Sequence, residues 1–349
     1  MSTPTSRPFG DTAAGPVQVL TIGQEPGPVL EVLDLGATMH ALQVSGGDGV
    51  RRNVILGHPG PQDHLGSRHY LGGTIGRYAN RIRDGRFEID VATVRTGTND
   101  RGNALHGGPE GFDQRTWTVE EHTDDTLVLG LLSPDGDQGF PGALTVRATF
   151  TVGPASVRLD LEATTDAPTV VNLTSHAYWN LGGEGSGTVD DHTLQVEADH
   201  WEPVDATGIP LGDPQPVAGT LFDLRESRRL GDLVRDRDPQ VLDAAGLDHD
   251  LVLTGSGWRR VATLAAPSVA TQVELWTDQP ALQVYSGNAL DGTVPSTQGR
   301  SYRQGDGIAL EPQLPPDSPN RPGLAEAAAL RPGATYTSAI EWRFGSLQD

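Results

Sequence analysis

Residues 143–163 read ALTVRATFTVGPASVRLDLEA. Leu144, Val146, Ala148, Phe150 and Val152 alternate with Thr145, Arg147, Thr149 and Thr151. After Gly153-Pro154-Ala155 the pattern resumes, with Val157, Leu159, Leu161 and Ala163 set between Ser156, Arg158, Asp160 and Glu162. A period of two on both sides of a Gly-Pro turn describes a β-hairpin with one buried and one wet face. Similar runs occur at Val17–Ile22, Val29–Leu33, Leu127–Leu132, Thr193–Ala198, Gln272–Thr277, Ala281–Ser286 and Tyr336–Phe344. Gly and Pro number 44 and 26, about a fifth of 349 residues, and they are spread throughout rather than gathered in one tract. Frequent turns between short strands fit an all-β protein. Helical periodicity is confined to Leu224–Leu233 and Leu324–Leu330. With neither an internal repeat nor a linker, the chain reads as one domain over 1–349, a large antiparallel β-sandwich with few short helices. Residues 1–15 read as a flexible lead-in.

Composition removes several kinds of chemistry. There is no Cys, which excludes disulfides, a thiolate nucleophile and Cys-based zinc sites. All 25 basic residues are Arg, so Schiff-base chemistry, a pyridoxal-phosphate anchor and a P-loop lysine are excluded. A net charge of −21 repels phosphate backbones and anionic lipid, so neither nucleic acid nor membrane is an expected partner. MSTPTSRPFGDTAAGP lacks the apolar core of a secretory signal, and no apolar run is long enough to span a bilayer. The expectation is a cytoplasmic protein, a monomer by default with a dimer open.

Six segments carry polar groups suited to a site. In GIALEPQLPPDSPN (307–320), Glu311 follows the apolar run Ile308-Ala309-Leu310 and precedes prolines at 312, 315, 316 and 319. This places the acid between a strand and a proline-braced loop, where desolvation raises a carboxyl pKa and makes a usable base. A solvated surface acid is the alternative. GGTIGRYANRI (72–82) offers Asn80 and Arg81, planar multi-donor groups suited to vicinal hydroxyls or a ring oxygen, or an Arg that only binds loop carbonyls. It lacks the GxGxxG spacing of a dinucleotide site. NALHGGPEGFDQRTW (103–117) sets His106 before a Gly-Gly turn, either accessible or bonded to backbone. In NLTSHAYWNL (172–181), alternation groups Asn172, Thr174, His176 and Tyr178 or Trp179. His176 is either a general acid near neutral pH or a satisfied core histidine. LDHDLVL (247–253) offers Asp248 and His249 as a metal pair, or Asp248 as a hydroxyl binder. No further ligand cluster has convincing spacing, so no metal is expected. ALQVYSGNAL (281–290) puts Gln283 and Tyr285 on one strand face, with Asn288 after a Gly.

These segments, with SPDGDQGFPGALTV, ADHWEPVDATGIPLGD and LRPGATY, resemble in content and order the aldose 1-epimerase (galactose mutarotase) family, from about Gly36 to Phe344. The resemblance implies a many-stranded antiparallel β-sandwich (the mutarotase-like supersandwich) and a cofactor-free isomerase acting on free aldoses such as glucose and galactose. It implies that Glu311 is the catalytic base and His176 the catalytic acid. It implies that Asn80, Arg81, His106, Asp248 and Gln283 bind the sugar, with His106 and Arg81 nearest the ring oxygen and anomeric region. The chain departs from the family pattern at Ser175, Trp179, Leu247, Asp250 and Pro312, none of which removes a proposed catalytic group.

The expected reaction opens and recloses the hemiacetal, with acid and base on opposite sides of the anomeric carbon. Three alternatives use the same residues. A glycosidase would pair Asp248 with Glu311. A sugar-binding protein would not require both Glu311 and His176. A sugar-phosphate epimerase would need an Arg cluster for the phosphate.

Overall fold

The hairpin at 143–163 forms the middle of the largest sheet in the protein. A computed structural model describes residues 5–347. Strands Leu144–Val152 and Ser156–Thr165 pair from Leu144↔Thr165 to Val152↔Val157, and the predicted inward residues are buried. Nine strands make up this antiparallel sheet. Thr118–His122 and Thr126–Ser133 lie on one side of the hairpin. Tyr336–Ser346, Thr271–Thr277, Arg259–Ala266, Thr193–Val196 and Arg228–Arg229 lie on the other.

A second antiparallel sheet carries the site. Its strands are β1 (Tyr178–Trp179), β2 (Ala198–Trp201), β3 (Asp248–Leu253), β4 (Ala281–Tyr285) and β5 (Ile308–Gln313). The spatial order is β1-β5-β4-β3-β2, closed by Gln215–Pro216. Strand parity divides its residues. Leu251, Leu253, Leu282, Val284, Ile308 and Leu310 join the main core. Asp248, Asp250, Gln283, Tyr285, Glu311 and Gln313 occupy alternate positions and so face the other way. Both sheets contribute to one hydrophobic core, as a sandwich requires.

The third sheet corrects the expected lead-in. Thr5–Thr12 is a strand paired with Gly15–Gly23, and Val29–Leu33, Thr38–Ser45 and Arg51–Asn53 complete five strands. Gly15–Gly23 has a backbone edge to complete, so the polar TSRPFGDT segment pairs despite lacking an apolar face of its own. Residues 1–4 lie outside the described residues.

The helices are short, as expected, but shifted. Only Leu230–Leu233 and Ala325–Ala328 of the two anticipated segments are helical, and Pro61–Gly66 and Pro239–Ala244 add two more. Arg228–Arg229 joins the edge of the large sheet instead, pairing with Thr193 and Leu194. Asp238 caps Pro239–Ala244 by accepting from the Gln240 N–H. Among the described residues no helix is long and apolar enough to cross a membrane.

Candidate active site

Register across the site sheet brings three functional side chains into one row. Asp250 pairs with Gln283 on β3 and β4, and Gln283 pairs with Glu311 on β4 and β5. Directly opposed residues of neighbouring strands share a face. Glu311 lies within β5, which continues through Pro312 to Gln313, and not at the strand's end as the sequence suggested. Pairing with β1 stops at Ala309, so Pro312 interrupts no ladder on that side. The prolines that follow brace the chain from Pro315 onward.

The row opens into a cavity of about 380 Å³. Its walls include all seven predicted site residues: Asn80, Arg81, His106, His176, Asp248, Gln283 and Glu311. Tyr178 and Tyr285 also line it. Trp179 points to the core and packs on Trp342, so only Tyr178 of the two candidate aromatics reaches the site. Asn172 is also buried away from the cavity, where its amide bonds Ala79 O and the Leu314 N–H.

His176 and Glu311 face each other across 3.5 Å, from Nε2 to Oε1. Both are buried, and Tyr178 stacks on the His176 ring at 5.0 Å. Burial, reinforced by the Asp248 charge, holds the Glu311 carboxyl well above the usual carboxylate range, and Arg81 only partly offsets this. Burial pushes His176 down to about 4. Burial thus favours the proton on Glu311 and a neutral imidazole.

His106 is held in one tautomer. The Asn80 N–H donates to its Nδ1 at 3.1 Å, while the His106 N–H donates to Asn80 O at 3.1 Å. An accepting Nδ1 leaves the proton on Nε2, so the ring is a hydrogen-bond donor. Burial and the neighbouring His176 keep it neutral. Asn80 and His106 both have positive φ, at 63° and 53°. The Gly-Gly turn is required as well: a Cβ on Gly107, where φ is +87°, would sit 2.0 Å from Gly76 O.

Arg81 is fixed from two sides. Its Nε donates to Asp100 Oδ2 at 2.8 Å, and its Nη2 lies 3.7 Å from Asp248 Oδ2. Gln283 Nε2 donates to the other oxygen of Asp248 at 2.6 Å. Asp248 thus ties Arg81 to Gln283, which suits it to hold sugar hydroxyls. His249 does not join it. Parity turns that ring to the core face, against Phe222 and Trp201, so the suggested metal pair does not exist. Among the described residues, the one set of three metal-capable side chains within 4.8 Å of one another is His106, His176 and Glu311.

Sequence reasoning missed three wall elements. Tyr70 packs edge-on against His106 at 4.6 Å, Asp100 orients Arg81, and the Asp205–Gly208 turn closes over the guanidinium. Asp100 carried no signal beyond its place three residues after Gly97. Tyr70 stands two residues before the GGTIG motif, the only hint available.

A β-supersandwich with an acid–base pair in a polar cavity belongs to the sugar isomerases of mutarotase type, and comparison with known proteins agrees. The family described as aldose 1-epimerase matches residues 18–343. The chain is 38% identical to the aldose 1-epimerase of Escherichia coli (strain K12), over 98% of both chains. It is 36% identical to the galactose mutarotase of Homo sapiens, over 90% of both. The crystal structure of galactose 1-epimerase from Lactobacillus acidophilus NCFM superposes with a TM-score of 0.87 at 30% identity, covering 99% of this chain and 100% of that one. That of a GalM/aldose epimerase homologue from C. elegans gives 0.86 at 28% identity, covering 95% and 99%. The chain belongs to the aldose 1-epimerase family, and it is an isomerase.

Proposed function

We propose that Glu311 and His176 together open and reclose the ring of a free aldose in this aldose 1-epimerase. The observation that carries this reading is the 3.5 Å approach of the two groups in the wall of the cavity. In the reactive state Glu311 is a carboxylate and His176 an imidazolium. Glu311 takes the proton of the anomeric hydroxyl, and the C1–O1 bond becomes a carbonyl. The C1–O5 bond breaks, and its electron pair takes the His176 proton at O5. Rotation about C1–C2 turns the other carbonyl face toward O5. The two proton transfers then run backwards to give the opposite anomer. No proton is gained or lost over the cycle.

The pair therefore needs one proton in total, and burial favours that proton on Glu311 at rest. Moving it across to His176 makes the ion pair. Sugar hydroxyls add to the polar surroundings that the His106 Nε2–H and the Arg81 guanidinium give this state. Arg81, Asp248, Gln283 and Asn80 hold the hydroxyls, and each positioned proton-transfer group contributes about a hundredfold or more. A neutral monosaccharide suits a chain with a net charge of −21.

Polarimetry on freshly dissolved α-glucose and α-galactose tests the activity. Faster approach to the anomeric equilibrium supports it, and the ratio of the two rates gives the preference. No acceleration with either sugar, across a wider panel of free aldoses, contradicts it.

A further inference from the structure

Behind Glu311 lies a buried polar patch that ring opening does not use. Asp250, Gln283 and Glu311 form the cross-strand row, and Gln313 follows on the same face of β5. Glu202 closes the patch from beyond β2, its N–H bonded to Asp250 O at 2.9 Å. All five side chains are buried. Both Asp250 oxygens, Glu202 Oε2, Gln283 Oε1 and both Gln313 amide atoms lack a protein hydrogen-bond partner.

The patch is rich in acceptors, and Gln313 Nε2 is the one amide donor in it without a partner. Gln283 Nε2 is committed to Asp248 Oδ1 at 2.6 Å. The cation on this side, Arg321, is committed to Glu202 Oε1 at 2.6 Å. The groups facing Asp250 are Glu202 and Arg321 from beyond β2 and β5, Gln283 on β4, and Glu311 and Gln313 on β5. Asp248 lies on its own strand. One guanidinium cannot neutralise both Glu202 and Asp250, and Glu202 holds it. An ionised Asp250 would be a buried charge without a counterion, beside a second carboxylate that has one.

We propose that Asp250 is a positioning residue for Glu311, standing as a neutral carboxylic acid that donates its proton within the row. Its natural acceptor is the unpartnered Gln283 Oε1, directly opposite on the neighbouring strand, within reach of two facing side chains. That hydrogen bond fixes the Gln283 amide with its N–H on Asp248. It also leaves Glu311 as the group of the row that changes charge in turnover. The directions agree: burial, then the nearby Glu202, drives the Asp250 carboxyl well above its usual range, and the Arg321 charge and the Gln313 amide offset this only in part. This rests on Glu311 being the base.

The test compares Asp250→Asn with Asp250→Ala. Asn is neutral and keeps an N–H donor. We expect its kcat/KM within about twofold of wild type, with the alkaline limb of the pH profile unmoved. Ala removes the donor, and we expect about a tenfold loss of kcat/KM that Asn restores. A fall of about one pH unit or more in the alkaline limb of Asp250→Asn would mean that an ionised Asp250 had been raising Glu311, and would overturn the proposal. So would wild-type kinetics in Asp250→Ala.

Infrared difference spectra of wild type minus Asp250→Asn at pH 7 decide the matter even if the Ala variant does not fold. Loss of a protonated-carboxyl band supports the neutral acid, and loss of a carboxylate band overturns it. This readout does not depend on the role of Glu311, whose failure as base would appear separately as turnover in Glu311→Gln.

Discussion

His176 Nε2 lies 3.5 Å from Glu311 Oε1, although Glu311 belongs to β5, His176 to the short connection just before β1, and neither is near the other in sequence. This contact makes them one titrating unit. Its active form carries one proton, wherever that proton rests.

The pH profile of kcat/KM follows from that. Below about pH 4, His176 takes a second proton and the unit can no longer accept one. Above the raised pKa of Glu311 the unit loses its only proton and has none to donate. The expected profile is a bell whose acid limb lies near pH 4 and whose alkaline limb lies above the ordinary carboxylate range. A profile that stays level up to about pH 9 contradicts the assignment of Glu311.

His176→Asn keeps a polar side chain of similar reach but cannot carry the proton. Its kcat should fall by about 10²–10⁴, with KM changed far less, in steady-state polarimetry. A variant that lost affinity while keeping kcat would make His176 a binding group instead.

Gly208→Ala tests the hold on Arg81. Gly208 has φ of +80°, and a Cβ there would lie 2.7 Å from Arg81 Cζ. The guanidinium must move away from Asp100 and Asp248. The expected result is a raised KM and about a tenfold or greater loss of kcat/KM. Stability should fall by only about 1 kcal/mol, the cost of a side chain at positive φ. Unchanged kinetics would show that the position of Arg81 does not matter to the sugar.

Acid should destabilise the fold through its histidines. His40, His176, His192 and His249 are pushed down to about 4 by burial, His58 to about 3, and His106 well below its ordinary value. Their folded values lie below the unfolded one of about 6.5, so their contribution is present above that pH. It is lost as pH falls through the window toward 4. Calorimetry should therefore show a lower Tm at pH 5 than at pH 7.5, with protons taken up on unfolding. Unfolding without proton uptake at pH 5 would contradict this.

Much of this was legible in strand parity. The alternation at 143–163 gave the sheet and its buried face, and the same period in LDHDLVL, ALQVY and IALEPQ separates site residues from core residues. That rule also dissolves the Asp248–His249 pair, because adjacent strand residues face opposite ways. Other features depended on long-range contacts. Pro312 reads as a strand end, yet β5 continues because its β1 partner has already stopped. Thr5–Thr12 has no apolar period of its own and is a strand only because Gly15–Gly23 offers an edge. The nearness of His176 to Glu311 comes from tertiary packing, which no local pattern encodes.

The most direct test of the account pairs turnover with binding in Glu311→Gln. Polarimetry on α-galactose should show its enzymatic rate falling by about 10² or more, while titration calorimetry still detects sugar binding close to that of wild type. Near-normal turnover in this variant would contradict the claim that Glu311 is the base.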